Sequence, residues 1–443
     1  MKPAAALLPL LALVMAACGA NAPTGSPDPT GSSASTGSTG STGSTAPEVT
    51  APRSVPAAGQ EAAAVTAVNG LGLDLLRAGL GTAKGNVAVS PWSIATALGM
   101  LRTGARGTTA AQLDAVLHST DAAALHAGMN ALDLLLAERN GTFPWGAGEQ
   151  RSIELSAANR AFTQQGFPFE PAFLQTLAAD YGSTIGEVDY ERATGKARAT
   201  INGWVNERTK QRIRELIPDG VLDAMTRLVL VNAVYLRADW QVPFAKESTK
   251  PATFHAAGGD VTAPFMAGAE RWGWAEGDGW QAVELPYVDG KLAMTIVVPA
   301  AGRFDEVTGH LDGAMLAKLA AVSNDGEVTL RLPRFDIAKA TDLGAALQAL
   351  GVIDAFDPNA ADLSGITTAE RLYVSAALHQ ANITVDEQGT VAAAATVIVV
   401  SEASAAVELH ELTVDRPFLF LLRDRPTGTL LFAGQVTNPA AKA

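Results

Sequence analysis

The chain has 443 residues, 48% of them hydrophobic, and carries a formal net charge of −13 with a single cysteine. So much apolar material can bury one large core or two ordinary ones. The acidic balance argues against a phosphate-binding surface, which needs clustered Lys and Arg, so no nucleic-acid partner is expected; no internal apolar run reaches the roughly 20 residues that span a bilayer.

The N-terminus reads as an export signal over residues 1–17. Lys2 gives a positive start, residues 4–17 are apolar apart from Pro9, and Met15, Ala16 and Ala17 lead into Cys18. Length and flanks fit a secretory signal better than a spanning helix. Small residues before a lone cysteine resemble the lipobox of bacterial lipoproteins, although Met15 is a less usual occupant of its position. That resemblance implies an exported, extracellular protein held on the outer face of a bacterial membrane through a lipid on Cys18, its only membrane contact. The other reading is an ordinary secreted protein with an incidental cysteine. Residues 18–58 are dominated by Gly, Ser, Thr, Pro and Ala, with TGS units between 36 and 45. Such a segment buries too little apolar surface to offset its ordering entropy and is expected to be a flexible linker. The folded domain is expected over 59–440, without a cysteine and so without a disulfide.

In that domain Ala62, Val65, Val68, Leu71, Leu73, Leu75, Leu76 and Leu80 recur at broadly helical spacing, punctuated by Gly79 and Gly81. Residues 86–89 predict a short strand. Ser90 then caps a second helix with Pro91 at its first position, and Ile94, Ala95, Ala97, Leu98 and Met100 form its buried body up to Gly104. A third helix is expected behind Thr108 or Thr109, with Leu113 and Val116 inward, and a fourth over 121–139 with Leu132, Leu134, Leu135 and Leu136. The pattern next predicts a strand over 154–162 and helices over 171–181 and 193–209, the latter turning Ile201, Trp204 and Val205 inward. Residues 227–236 (RLVLVNAVYL) are too apolar for an edge and predict a central strand buried on both faces. Strands then dominate, over 253–257, 280–286, 292–298, 328–332, 373–385, 418–422 and 430–436, with one helix over 340–350. Helices early and strands late indicate an α+β fold rather than a βαβ array.

Catalytic chemistry is hard to find. The chain has six histidines, no Gly-x-Ser-x-Gly elbow, no His-Glu-x-x-His helix and no calcium-loop spacing. His410, Asp415 and Ser401 make a Ser/His/Asp trio only on paper, as most chains of this length allow. No enzyme, metal or cofactor is expected.

Residues 386–400 (DEQGTVAAAATVIVV) contain a conflict of propensities. Ala392, Ala393, Ala394 and Ala395 favour helix, whereas the Thr-Val-Ile-Val-Val that follows favours a pleated strand. Conflicts of this kind sit at functional or strained sites, and this one predicts a segment with two conformations. Counting from Thr390, alternate positions are Thr390, Ala392, Ala394, Thr396, Ile398 and Val400, all of which can be buried as an inserted strand requires. Gly389 leaves the backbone free to bend where the segment leaves its strand.

Several segments together resemble the serpin family. NVAVSPWSIATALGMLRTGARGTTAAQL (86–113) is similar to the serpin strand with its second and third helices, and INGWVNERTKQRIRELIP (201–218) to the helix lying across the main sheet. LVLVNAVYLRADWQVPF (228–244) resembles the central strand with its breach tryptophan, here Trp240, and DRPFLFLLRDRPTGTLLFAGQVTNPA (415–440) the C-terminal signature. The resemblance runs in order from 60 to 439. It implies a serpin fold: α+β, predominantly antiparallel sheets, about eight or nine helices and a mobile reactive-centre loop.

By this likeness residues 386–400 are the hinge and the start of the loop, with Glu387, Gly389, Thr390, Ala392, Ala393, Ala394 and Ala395 as hinge residues. The loop would be cut by a serine or cysteine protease and enter the main sheet as an extra strand, carrying the acyl-enzyme with it and deforming its active site. Val391 departs from the Glu that inhibitory relatives often have, at an outward-facing position. Family spacing from Gly389 places the scissile bond at Ala403-Ser404; counting back from Pro417 gives Ala406-Val407. Ala403, Ala405 and Ala406 imply an elastase-like or subtilisin-like target, and no Lys or Arg occurs between Glu387 and Arg416 to suit a trypsin-like one. Ser90, Ser93, Asn232 and His379 match the family's shutter, and His379 also reads as a hydrogen-bonded core histidine. Arg139 alone on the 121–139 helix offers no basic face for a heparin-like cofactor. The expected partners are small-residue-preferring proteases, met by a monomer. The alternative is a non-inhibitory binding or surface protein on the same fold, whose hinge would typically carry bulky, charged or proline residues.

Overall fold

The computed structural model describes residues 8–17, 52–78, 85–145, 148–211, 213–390 and 408–441. Strand β1 (Leu8–Ala17) comes first, then α1 (Ala62–Arg77), β2 (Val87–Val89), α2 (Pro91–Gly104), α3 (Gly107–Val116) and α4 (Ala122–Ala137). A hairpin of β3 (Gly141–Trp145) and β4 (Glu149–Gln164) leads to α5 (Pro171–Tyr181), β5 (Thr184–Val188), α6 (Tyr190–Arg208) and the long strand β6 (Thr226–Asp239). Five strands follow: β7 (Lys250–Ala256), β8 (Gly259–Glu270), β9 (Gly273–Gly277), β10 (Trp280–Pro286) and β11 (Leu292–Pro299). Two short helices, α7 (Phe304–Gly309) and α8 (Gly313–Ala320), precede β12 (Glu327–Pro333), β13 (Phe335–Asp342), α9 (Gly344–Ala349) and β14 (Leu372–Val385). The chain closes with β15 (Gly389–Thr390), β16 (Leu409–Thr413), β17 (Phe418–Asp424) and β18 (Leu430–Val436).

The elements form the expected α+β fold around three sheets. The main sheet runs β13-β14-β1-β6-β4-β3, with β15 also paired to β6 and β5 to β4. A six-stranded sheet runs β2-β18-β17-β11-β10-β9, and a four-stranded one β16-β12-β8-β7. Helix α2 lies between the two larger sheets, touching β6 and β18. Its start is set locally: the Ser90 hydroxyl accepts from the Ser93 N–H, and Pro91 occupies the first turn, where its missing N–H costs nothing. Helix α6 covers the opposite face of the main sheet, where Ala197, Ile201 and Val205 pack on Phe162, Val229 and Val231.

Tertiary context moved several boundaries. Helix α3 begins at Gly107, and Thr109 lies inside it with its hydroxyl accepting from the Asp362 N–H, so neither Thr108 nor Thr109 is the cap. Of the helix expected over 340–350 only Gly344–Ala349 is helical, because residues up to Asp342 pair with β14 as strand β13. Helix α6 starts at Tyr190, capped by Asp189, and kinks at Ala193. The short strands β5, β9, β13 and β16 carry no pattern that foretold them. The structure also adds a placement absent from the sequence reading: residues 8–17 lie as a strand between β6 and β14, antiparallel to both.

Candidate functional site

The site lies along the seam between β6 and β14. At its upper end β14 turns back through Asp386 to Gly389, where the Gln388 N–H donates to Asp386 Oδ1 at 2.9 Å. The end of β6 holds this turn from outside. The Trp240 N–H donates to the Gln388 carbonyl and the Phe244 N–H to the Glu387 carbonyl, both at 2.8 Å, and the Trp240 indole donates to the Asp386 carbonyl at 3.0 Å. Gly389 adopts φ +146°, and a Cβ there would collide with the Ala238 carbonyl oxygen. Close approach of backbones, beyond freedom to bend, is therefore what demands glycine here.

The flanking hinge side chains are buried, although one is a carboxylate. Glu387 is 2% exposed, and its carboxylate accepts from the Arg334 guanidinium (Nε at 2.7 Å) and from the Thr249 hydroxyl. Thr390 is fully buried, its hydroxyl 2.7 Å from the Tyr287 hydroxyl. Tyr287 in turn stacks on Trp240 with ring centroids 4.5 Å apart. Burial pushes the Tyr287 phenol far above its usual range, so it stays protonated against Thr390. Gly389 and Thr390 already pair with Asp239 and Ala238, so the first two residues of any inserted strand are in place.

Lower down, the four residues expected to form the shutter fall into two hydrogen-bonded groups, Ser90, Ser93 and His379 in one and Asn232 in the other. Ser90, Ser93, Asn232 and His379 are all buried. The Ser90 N–H donates to His379 Nε2 at 3.2 Å, which puts the ring proton on Nδ1. The Asn232 amide donates to Asn159 Oδ1 at 2.7 Å, and Asn159 donates on to the Tyr181 carbonyl at 2.7 Å. Strand β1 separates the two halves, for Leu11 stands opposite His379 on one side and Asn232 on the other.

The serpin (serine protease inhibitor) family matches residues 66–439. The chain belongs to the serpin family. A leukocyte elastase inhibitor of Sus scrofa is 36% identical over 379 residues, covering 83% of this chain and 97% of the relative. A serpin-like protein of Thermococcus kodakarensis is 34% identical over 384 residues, covering 86% and 87%. Among solved structures, native tengpin, a thermophilic serpin, superposes with a TM-score of 0.76 at 24% identity, covering 88% of this chain and 97% of that one. A cleaved, loop-inserted ovalbumin mutant superposes at 0.74 with 24% identity, covering 85% and 99%.

Of the residues expected in hinge, breach and shutter, Glu387, Gly389, Thr390 and Trp240 lie at the head of the seam, and Ser90, Ser93, Asn232 and His379 are buried lower down. Ala392, Ala393, Ala394, Ala395, Ala403, Ser404, Ala406, Val407 and Cys18 lie outside the described residues. Of the paper trio, Ser401 also lies outside them, and His410 stacks flat on Trp274 with centroids 4.4 Å apart. Arg139 is buried in an ion pair with Asp424 (2.6 Å), so it belongs to no surface at all. Sequence reasoning missed Arg334, Thr249, Tyr287 and Asn159. Each completes a hydrogen bond to a residue that was foreseen, yet stands 53 to 138 positions away from it in the chain, beyond any local pattern.

Proposed function

We propose that this serpin is a suicide inhibitor of serine proteases that prefer small residues, of the elastase or subtilisin kind, with cysteine proteases as a second target class. The observation that carries the reading is the hinge. Thr390 is fully buried and hydrogen-bonded at the head of the seam, pointing inward at the position from which the small alternate residues Ala392 and Ala394 continue. Insertion then proceeds as a zipper. Each further pair of residues brings one small side chain under the sheet, and Ile398 and Val400 each add roughly 1.5–3 kcal/mol once covered. The cut is expected at Ala403-Ser404, or at Ala406-Val407.

The export reading completes the proposal: the inhibitor works outside the cell, tethered by a lipid on Cys18, as a monomer. Incubation of the processed chain, from Cys18 onward, with pancreatic elastase or subtilisin should give a covalent complex that survives denaturing electrophoresis. Cleavage in the 391–407 segment by every protease tried, without any complex, would favour the alternative of a non-inhibitory binding protein. Fatty-acid labelling that is lost in Cys18→Ser checks the anchor.

A further inference from the structure

The gap that an inserting loop must enter is filled in this chain by β1. Its ten residues, LPLLALVMAA, form ladders with Ala381 and its neighbours on β14 and with Val231 and its neighbours on β6. The four side chains Ala12, Leu13, Val14 and Met15 are fully buried and divide between the two faces of the sheet. Leu13 and Met15 join the central core, while Ala12 and Val14 lie under α6 with Ile201 and Val205. Without β1, strands β6 and β14 would be left with two facing edges, because both run antiparallel to it and neither pairs the other.

The register makes β1 and the loop competitors for the same partners. Thr390 faces Ala238, and eight residues farther along each strand Ile398 would face Leu230, the residue that Leu13 now faces. Val400 would likewise take the place of Met15 opposite Leu228. The inward-facing set of the loop thus maps onto the inward-facing residues of β1. Loop and β1 cannot occupy β6 together from Ala233 onward, so in this register insertion beyond residue 394 requires β1 to leave. Reach is no obstacle, since the 34 residues from 18 to 51 could span up to about 110 Å.

We propose that residues 8–17 are an intramolecular ligand of the β6–β14 gap, an extended apolar segment that holds the protein incapable of loop insertion while it is attached. The proposal rests on the inhibitor reading above. A second observation favours it. Pairing runs along the whole segment: residues 8 to 17 each stand opposite a β14 residue, and residues 10 to 16 each stand opposite a β6 residue. Cleavage ahead of Cys18 would remove β1 whole, so the processing step that accompanies export would also arm the protein. An unprocessed chain would spare the proteases on the side of the membrane where it is made.

The test compares the unprocessed full chain with full-chain Leu13→Asp and Met15→Lys, each of which puts a charge at a fully buried position of β1. Amide hydrogen exchange over residues 8–17 reads occupancy; elastase capture and the shift of Tm on loop cleavage read insertion. The expected result is a protected β1 with cutting but no covalent complex and no rise of Tm in the full chain. The variants should show loss of that protection, a covalent complex, and a rise of ~10 °C or more after cutting. Fast exchange over 8–17 in the full chain overturns the proposal. Equal capture by full chain and variants also overturns it, and leaves the inhibitor reading standing. A protected β1 with no capture by any of the three chains removes the inhibitor reading and the gating with it.

Discussion

The two large sheets differ in the polar groups that they bury. In the six-stranded sheet β11 and β17 are buried at every position, and Phe418, Phe420 and Phe432 fill the space beneath it. Gly434 on β18 is bare because a Cβ there would strike the Phe420 ring and the Val87 carbonyl. The polar groups buried in the six-stranded sheet include charged pairs, Glu284 with Arg423 and Asp424 with Arg139, whereas the main sheet carries the neutral Asn159, Asn232, His379 and Asn382 in its interior, and its centre is continuous only through β1. Close-packed apolar side chains lose contacts on any displacement, so the six-stranded sheet has one arrangement. Hydrogen bonds among amides, hydroxyls and an imidazole can be exchanged for others of similar strength, so the polar seam can part and close again. On the proposed inhibitory reading, one sheet is the frame and the other is the moving part.

That division can be tested by damaging each sheet in turn. The largest effect is expected from Thr390→Arg in the processed chain: a charge at a fully buried position of β15 blocks entry of the strand, and elastase should cut the protein without being captured. Unchanged capture in a gel assay would remove Thr390 from the insertion path. In the frame, Phe420→Ala should lower stability by about 3–5 kcal/mol in denaturant unfolding while the fraction of protease captured stays the same.

A third test uses pH. His126 Nδ1 and the Tyr181 hydroxyl share a hydrogen bond of 2.6 Å, and Tyr181 joins the seam through its carbonyl bond to Asn159. Burial lowers the His126 pKa to about 4, below the 6.5 of the unfolded chain. The native state therefore keeps the ring neutral where the unfolded chain takes up a proton. This contribution is fully present above pH 6.5 and is lost as pH falls towards 4, up to about 3 kcal/mol. His126→Gln should flatten that part of the stability-against-pH curve. The smallest effect is expected from Arg334→Ala, which leaves the buried Glu387 carboxylate with the Thr249 hydroxyl and costs about 2 kcal/mol. A loss confined to the seam predicts faster exchange of the Gly389 and Thr390 amides and unchanged exchange in β11 and β17.

Elements with a local chemical signature were legible. The Ser90-Pro91 start of α2, the inward stripe of α6 and the doubly buried β6 all follow from residues within one or two turns of each other. Strands such as β13 and β16 were not, because pairing with a distant strand created them. The first residues of β13 could be foreseen neither as strand nor as helix until β14 lay beside them. The same holds for the site. Gly389 and Thr390 stood out by type and position, and Asn232 and His379 through the family resemblance, whereas Arg334 and Tyr287 are an ordinary arginine and tyrosine until the fold brings them to Glu387 and Thr390.

By itself, then, the sequence determined the α+β class, the family resemblance, the small-residue hinge and the apolar N-terminal run, all properties of neighbouring residues or of alternation along one strand. Only the tertiary structure decided where that apolar run lies. A ten-residue apolar segment suits a membrane, a translocation channel or a sheet equally well by composition, and the choice among them depends on whether two strand edges elsewhere in the chain stand one strand-width apart.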